Sequence, residues 1–323
     1  MRCRCLLLTV VTDCQTNKSF LCPTMSLLAS ALVGLTGLSL NYFVPKFMSP
    51  GSGPSQFAVS SASGLASSCD ATNIASCTNT TAIGNLCCFE APGGLLLQTQ
   101  FWDSNPATGP SDSWTIHGLW PDKCDLKFSE NCDPSRAYKN IAGLLSENGA
   151  AKTLDFMKTY WVDINGKDET FWEHEWKTHG TCMSTLEPSC LPAGSAKGTE
   201  AVAFFDTVVK LFQTLPTYKW LANQGITPSS SATYTLDTLS TALQTESGFQ
   251  PVLDCEGSTL DSVSWYFHLK GSVIDGTFVQ IDTPEEGNCP SDGIKYPPKS
   301  DDGESEPNKK MPSRHARRRH HHK

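Results

Sequence analysis

Cysteine content is the feature that most restricts the folds open to this chain. Ten of its 14 cysteines fall between residues 69 and 298, and none forms a Cys-x-x-Cys pair of the kind that builds a zinc ribbon. An even number outside metal-binding spacing predicts five disulfides and an oxidising compartment. Adjacent Cys87 and Cys88 are expected to reach different partners, because a bond between neighbours is strained. The ten are Cys69, Cys77, Cys87, Cys88, Cys124, Cys132, Cys182, Cys190, Cys255 and Cys289.

Charge is distributed unevenly along the chain. Residues 69–298 contain 13 Lys/Arg against 28 Asp/Glu, a net charge of −15, whereas residues 299–323 carry +4. The acidic body excludes a basic nucleic-acid-binding domain that works mainly by neutralising phosphates. The tail is polar, basic and rich in histidine, and we expect it to be disordered.

The first 68 residues have the composition of a leader and a linker. No charged residue lies between Lys18 and Lys46, and the leucine-rich run after Met25 supplies the roughly 7–15 apolar residues of a signal peptide. A membrane anchor, which needs about 20 such residues, is the alternative. Translation could begin at Met1 or Met25, and the Ser/Gly-rich residues 49–68 predict a flexible linker.

The chain therefore divides into three predicted segments. They are the leader and linker at 1–68, a folded domain at 69–298 and the tail at 299–323. The sequon Asn79-Thr80-Thr81 predicts a glycosylated loop near the start of the domain.

Hydrophobic patterns in the body mix helices and strands. Strands are predicted at 95–102, 114–119, 265–269 and 273–281, with the second ending in a Trp-Pro turn. Helices are predicted at 138–148, 151–161, 170–182, 200–215 and 236–245. Because the two kinds of element do not alternate strictly, we expect an α+β fold with a central antiparallel sheet and packed helices.

Three of the four histidines in the body lie in two short segments rich in Trp and Gly. His117 lies in WTIHGLWPD, which begins at Trp114, and His174 and His179 lie in FWEHEWKTHGTC, which begins at Phe171. A zinc protease needs two histidines four residues apart on one helical face. Here they are five apart, which predicts that His179 turns away from His174 and that no metal is bound. The fourth, His268, lies in a strand pattern and is expected to be structural.

Two histidines and a carboxylate without a metal suit general acid–base chemistry. Histidine titrates near neutrality, so one ring can accept a proton while another donates one. The simplest reaction for such a pair is in-line attack of an RNA 2′-hydroxyl on the adjacent phosphorus, which needs no cofactor. A structural role beside the tryptophans is the alternative for any one of these histidines.

Together the two segments and the cysteines resemble the ribonuclease T2 family, in particular its fungal branch. The resemblance covers about residues 69–298. It implies that His179 is the general base, His117 the general acid, His174 the phosphate-binding histidine and Glu175 the carboxylate that stabilises the transition state. It also implies a first base site at Trp120 and Asp122 and a second at Gln100 and Phe171, with packing as the alternative role for the last two.

The same resemblance implies the disulfide pairing and the biology. The implied pairs are Cys69–Cys88, Cys77–Cys124, Cys87–Cys190, Cys132–Cys182 and Cys255–Cys289. The activity expected is metal-independent cleavage of single-stranded RNA, with little base specificity, to a 2′,3′-cyclic phosphate and then a 3′-phosphate. The rival interpretation is a catalytically weak secreted RNA-binding or cytotoxic protein.

The expected partner is RNA alone, with no obligatory protein partner. We expect a monomer, and contact with a membrane only if the leader is an uncleaved anchor. The expected location is outside the cell or in the vacuolar lumen, with release into the cytoplasm left open.

One position departs from the family pattern. The residue before the second catalytic histidine is usually lysine, but here it is Thr178, with Lys177 preceding it. Helical geometry predicts that Lys177 points away from the phosphate. Either the Thr178 hydroxyl contributes a hydrogen bond or the enzyme is slower than its relatives.

Overall fold

A computed structural model describes the backbone of residues 56–58 and the full residues Cys69, 74–78 and 84–299. All of them belong to one compact unit, Ser52–Lys323. The predicted leader, the Asn79 sequon and the tail from residue 300 onward lie outside the described residues. The domain boundaries at 68 and 298 therefore stay predictions. Among the helices of the described ranges, none has both the length and the hydropathy that crossing a bilayer requires.

A largely antiparallel sheet forms the centre of the unit. Its main path runs β1-β7-β6-β2-β3, while β5 and β8 also pair with β6, and β4 pairs with β8. Only the short β6–β8 pairing is parallel among the described strands. The strands are β1 Gln56–Ala58, β2 Leu95–Phe101, β3 Thr115–Asp122, β4 Thr233–Tyr234, β5 Val252–Glu256, β6 Thr259–Lys270, β7 Thr277–Ile281 and β8 Ile294–Lys295.

Six α-helices accompany this sheet within the described ranges. They are α1 Ile141–Glu147, α2 Ala151–Tyr160, α3 Asp168–Thr178, α4 Thr199–Gln213, α5 Thr217–Asn223 and α6 Leu236–Ser247. The α+β class is thus confirmed, and each predicted helix is present. The short helix α5 and the strands β1, β4, β5 and β8 were not predicted, and β1 lies within the residues predicted as a flexible linker.

The helix α4 is the centre of the hydrophobic core. Its predicted stripe, which includes Phe205 and Val209, is buried, and so are Phe204, Val208 and Leu211 on its other sides. Asp206, Lys210 and Gln213 form the remaining stripe, which is partly or fully exposed. The core therefore covers α4 on most sides and leaves one polar stripe at the surface.

Several predicted boundaries were wrong, among them those of β6 and β7, and for two others the reason is identifiable. The strand β3 continues through Pro121 to Asp122 instead of ending at the Trp-Pro pair. Proline is tolerated there because β3 pairs only with β2 in the described sheet, and an edge strand can spare an N–H donor. The helix α3 ends at Thr178, and a separate 3₁₀ turn, Gly180–Cys182, follows.

Five disulfides tie the loops to this framework. The structure contains Cys69–Cys88, Cys77–Cys124, Cys87–Cys190, Cys132–Cys182 and Cys255–Cys289, which are the pairs that the resemblance implied. Cys87 and Cys88 do reach different partners. One of them, Cys132–Cys182, holds a loop to the end of the segment that carries His174 and His179.

Candidate active site

His117 lies at an irregularity in the pairing of β2 with β3. Thr99 is opposite Gly118 and Gln100 is opposite Ile116, so His117 is an extra residue in β3. Such a bulge redirects a side chain and is common beside active sites. The redirected imidazole stacks on Phe101, with ring centroids 4.1 Å apart and planes inclined by 29°. Phe101 was not predicted as part of the site, and no local pattern marks it.

Glu175 reaches this histidine from α3. Its Oε1 lies 3.5 Å from His117 Nε2, and its Oε2 accepts a hydrogen bond of 2.9 Å from Trp120 Nε1. The approach requires glycine at position 118, because a Cβ there would clash with Glu175 Oε2. One carboxyl group thus joins the two predicted active-site segments.

Burial controls the protonation of this carboxyl group. Glu175 is completely buried, and desolvation raises its pKa to about 8, although the Trp120 hydrogen bond acts in the opposite direction. Glu175 is therefore mostly a neutral acid at acidic pH. In that state it can donate a hydrogen bond.

His174 and His179 lie close together, and here the expectation from helical spacing was wrong. Their ring centroids are 6.0 Å apart. His179 is the capping residue of α3, and its φ of −112°, with ψ −51°, departs from the regular helical value and turns its side chain from the ideal helical direction. Its N–H still donates to Glu175 O at 3.1 Å.

His117 and His179 lie on the same tryptophan. The Trp120 ring centroid is 4.6 Å from that of His117, in an edge-to-face arrangement, and 5.1 Å from that of His179. Each histidine comes from a different element of the fold, β3 for one and the end of α3 for the other. The arrangement can bring a proton donor and a proton acceptor to one substrate.

The inverted Lys-Thr pair adopts the orientation that helical geometry predicts. Lys177 is exposed, whereas Thr178 is buried and its Oγ1 lies 3.3 Å from His174 Nδ1. A hydroxyl can donate to a neutral imidazole nitrogen or accept from a protonated one. Thr178 is therefore in contact with the site, and Lys177 is not part of it.

Three of the four predicted base-binding residues lie near His117 or on β3, the strand that carries it. The Phe171 ring is 5.7 Å from His117, and Asp122 follows Trp120 by two residues, on the same face of β3. Gln100 is not brought to the site. Its amide donates to Gln98 Oε1 and Leu215 O and accepts from Thr217 Oγ1, on the face of β2 opposite Phe101.

A metal ion is not ruled out by ligand type alone. One ligand atom each from His174, Glu175 and His179 lies within 4.8 Å of the other two. Glu175 Oε2 already accepts the Trp120 hydrogen bond, and burial raises the pKa of this carboxyl group, so a cation would have to displace a proton in order to bind. These residues fit acid–base chemistry better than permanent metal coordination.

His268 lies far from this cluster. It is on β6 opposite Leu95, at the other end of β2 from Phe101, and burial lowers its pKa. Its position agrees with the structural role expected for it.

Comparison with known proteins agrees with this geometry. Residues 93–278 match the model of the ribonuclease T2 family. Ribonuclease Le2 of Lentinula edodes is 60% identical over 240 residues, which cover 74% of this chain and 100% of that protein. Ribonuclease Trv of Hypocrea rufa is 51% identical over 232 residues, or 72% and 98% of the two chains.

A solved structure shows the same fold. The crystal structure of Actibind, described as a T2 ribonuclease, superposes with a TM-score of 0.69 at 48% identity and covers 72% of this chain and 99% of that one. The chain belongs to the ribonuclease T2 family and is an endoribonuclease.

Proposed function

We propose that the enzyme cleaves single-stranded RNA with His179 as general base and His117 as general acid. The observation that carries this assignment is the contact of both rings with Trp120, from two different elements. His179 removes the 2′-hydroxyl proton, and the 2′-oxygen bonds to phosphorus. The bond from phosphorus to the 5′-oxygen breaks, and His117 protonates that oxygen.

The cyclic phosphate is then hydrolysed with the roles reversed. His117 accepts a proton from water, and the water oxygen bonds to phosphorus. The bond from phosphorus to the 2′-oxygen breaks, and His179 returns a proton to that oxygen, which leaves a 3′-phosphate. His174 binds a phosphate oxygen throughout. Glu175, neutral at acidic pH, donates a hydrogen bond to the phosphorane, where charge accumulates.

Three variants test these assignments. His117→Ala and His179→Ala should each lower kcat by about 10²–10⁴-fold, the usual contribution of general acid–base catalysis. His268→Ala is the matched control, since this histidine is on the sheet but away from the cluster. Activity of His179→Ala at the level of the unmodified enzyme would contradict the assignment. ³¹P NMR should detect the cyclic phosphate before the 3′-phosphate, and EDTA should leave the rate unchanged.

Base contacts are proposed at Trp120, Asp122 and Phe171. Stacking on an aromatic ring tolerates every base, which supports weak base preference. Trp120→Phe retains an aromatic ring but loses the indole N–H, which donates a hydrogen bond to Glu175 Oε2. If the indole also holds a base, this variant should change the relative rates for dinucleotides that differ in the first base. A uniform loss for all of them would restrict Trp120 to positioning Glu175.

The proposed location is the cell exterior or the vacuolar lumen. We also propose that the mature protein is a glycosylated monomer from which the signal peptide has been removed. Five disulfides in the folded unit support this proposal, because such bonds persist in oxidising compartments. Mass spectrometry of the protein from its own source tests it. A mature chain that still contains the leucine-rich run after Met25, or an unmodified Asn79, would contradict the corresponding part.

A further inference from the structure

A short segment after β3 contacts the end of α3 at several points. We call residues 131–136 the clasp. The N–H of Asn131 donates to Thr178 O at 3.0 Å, and Cys132 forms a disulfide with Cys182. The first contact lies one residue before His179 and the second three residues after it. The clasp therefore holds the backbone on both sides of this residue.

Arg136 makes the largest number of polar contacts in the clasp. Only 3% of it is exposed. Its guanidinium donates from Nη2 to Thr181 O at 2.9 Å and from Nη1 to Leu186 O at 3.1 Å. Asp133 Oδ2 at 2.8 Å and Glu187 Oε1 at 2.6 Å supply the compensating negative charge. A planar group with five donors in a fixed arrangement suits four acceptors at once, and lysine cannot reproduce it.

Arg136 also holds the helix itself, through Trp176. The Trp176 Nε1 donates to Arg136 O at 2.6 Å, and the guanidinium carbon lies 5.7 Å from the indole centroid. The Trp176 ring in turn packs closely against Gly180, where any Cβ would clash with it. His179 is thus between two residues, Trp176 and Thr181, that Arg136 contacts directly.

We propose that Arg136 is the positioning residue for His179. It touches no substrate in this arrangement and acts through the backbone that carries the imidazole. The need for such a residue follows from the end of α3 at Thr178: because His179 lies outside the regular helix, helical hydrogen bonding alone does not set the direction of its ring. The inference rests on the proposed role of His179 as general base.

A double-mutant cycle separates positioning from simple stabilisation. Arg136→Met, His179→Ala and the double variant are compared by kcat and KM on a dinucleoside monophosphate, at a temperature where near-UV circular dichroism shows each to be folded. Thr207→Val is the matched control, because it also removes a buried side-chain donor to a main-chain carbonyl, Thr207 Oγ1 to Val273 O at 3.2 Å, on α4. Arg136→Lys replaces Arg136→Met if the latter does not fold.

Arg136→Met should lower kcat by about 10–100-fold with little change in KM, because a displacement near 1 Å can cost this much. In the His179→Ala background the same change should alter the residual rate less than about twofold, since residues that act as a unit are not additive. Thr207→Val should lower the denaturation midpoint and keep kcat within about twofold.

An equal loss from Arg136→Met in both backgrounds would overturn the proposal, and so would a loss confined to KM. Full activity of His179→Ala would instead refute the general base, so the two failures are distinguishable.

Discussion

Gly118 is the residue on which contact between the two active-site segments depends. It lies directly opposite Glu175 Oε2, with Trp120 Nε1 beside it. An alanine methyl group cannot fit unless the carboxyl group moves, and overpacking of this kind costs about 1–3 kcal/mol. The role of this glycine is thus spatial and does not come from unusual backbone dihedrals.

Gly118→Ala is therefore expected to lower kcat by at least about tenfold, because Glu175 would lose its place between His117 and Trp120. Steady-state kinetics on a dinucleotide would measure this effect. The matched control is Gly84→Ala, where a Cβ would meet nothing within 4 Å. Similar kinetics for the two variants would show that Glu175 can move without loss.

Thr178 offers a second test at the scale of one side chain. Removing its hydroxyl with Thr178→Val should weaken catalysis by about threefold to tenfold, the equivalent of one modest hydrogen bond, because His174 Nδ1 loses a contact at 3.3 Å. Thr178→Ser should restore most of the rate. Exposed Lys177 provides the control, and a larger effect of Lys177→Ala than of Thr178→Val would reverse the assignment.

Among the larger elements, the segment that ends α3 has the most direct connection with catalysis. Cys182 follows His179 by three residues, and its bridge to Cys132 closes a separation of 50 residues. The Cys255–Cys289 bridge spans 34 residues and joins β5 to a loop. Loss of either bridge should cost roughly 2–5 kcal/mol of stability.

Activity should distinguish the two bridges where stability does not. We expect the Cys132→Ser/Cys182→Ser pair of substitutions to reduce kcat well beyond the fall in folded fraction. The Cys255→Ser/Cys289→Ser pair should reduce activity only in proportion to unfolding. Thermal denaturation and kinetics on the same samples would measure both, and equal specific activity of the folded fractions would contradict this expectation.

At the scale of the whole molecule, two buried carboxyl groups link stability to pH. Burial raises the pKa of Glu175 to about 8 and that of Glu90 to about 7, although Ser184 and Thr185 donate hydrogen bonds to Glu90. Both values lie above the ordinary value of 4.5. At a pH between the ordinary and the raised pKa of each group, the folded state binds more protons than the unfolded chain. The contribution of these groups to the free energy of unfolding is therefore greatest in acid and falls as pH rises.

The free energy of unfolding should accordingly decrease from pH 4.5 towards pH 8. Glu90→Gln removes one of the two groups and should reduce the slope by up to about 1.4 kcal/mol per pH unit below pH 7. Urea denaturation at a series of pH values measures the slope. Asp125→Asn, at an exposed position, is the control. An unchanged slope in Glu90→Gln would mean that this carboxyl group is ionised in the folded protein. The lowered pKa of His268 acts in the opposite direction below pH 6.5, and His268→Ala removes that contribution.

The sequence alone determined the chemistry that this protein can perform. Histidine spacing, the paired Trp-rich segments and an even set of cysteines were visible in the order of residues, and through the family resemblance they led to the fold, the disulfide pairs and the histidines. Helical periodicity also predicted that Lys177 points away from the site, and this residue is exposed. These properties are local, because the spacing of residues within one element is set by backbone geometry.

The tertiary structure decided how the site is assembled. Periodicity could not show that a bulge redirects His117 onto Phe101, or that α3 ends early and brings His179 near His174. It could not separate Gln100, whose amide is bound in the core, from its neighbour Phe101. The contact of Glu175 with His117 and Trp120 joins residues about 55 positions apart. Such meetings depend on how elements pack, and packing is a property of the whole chain.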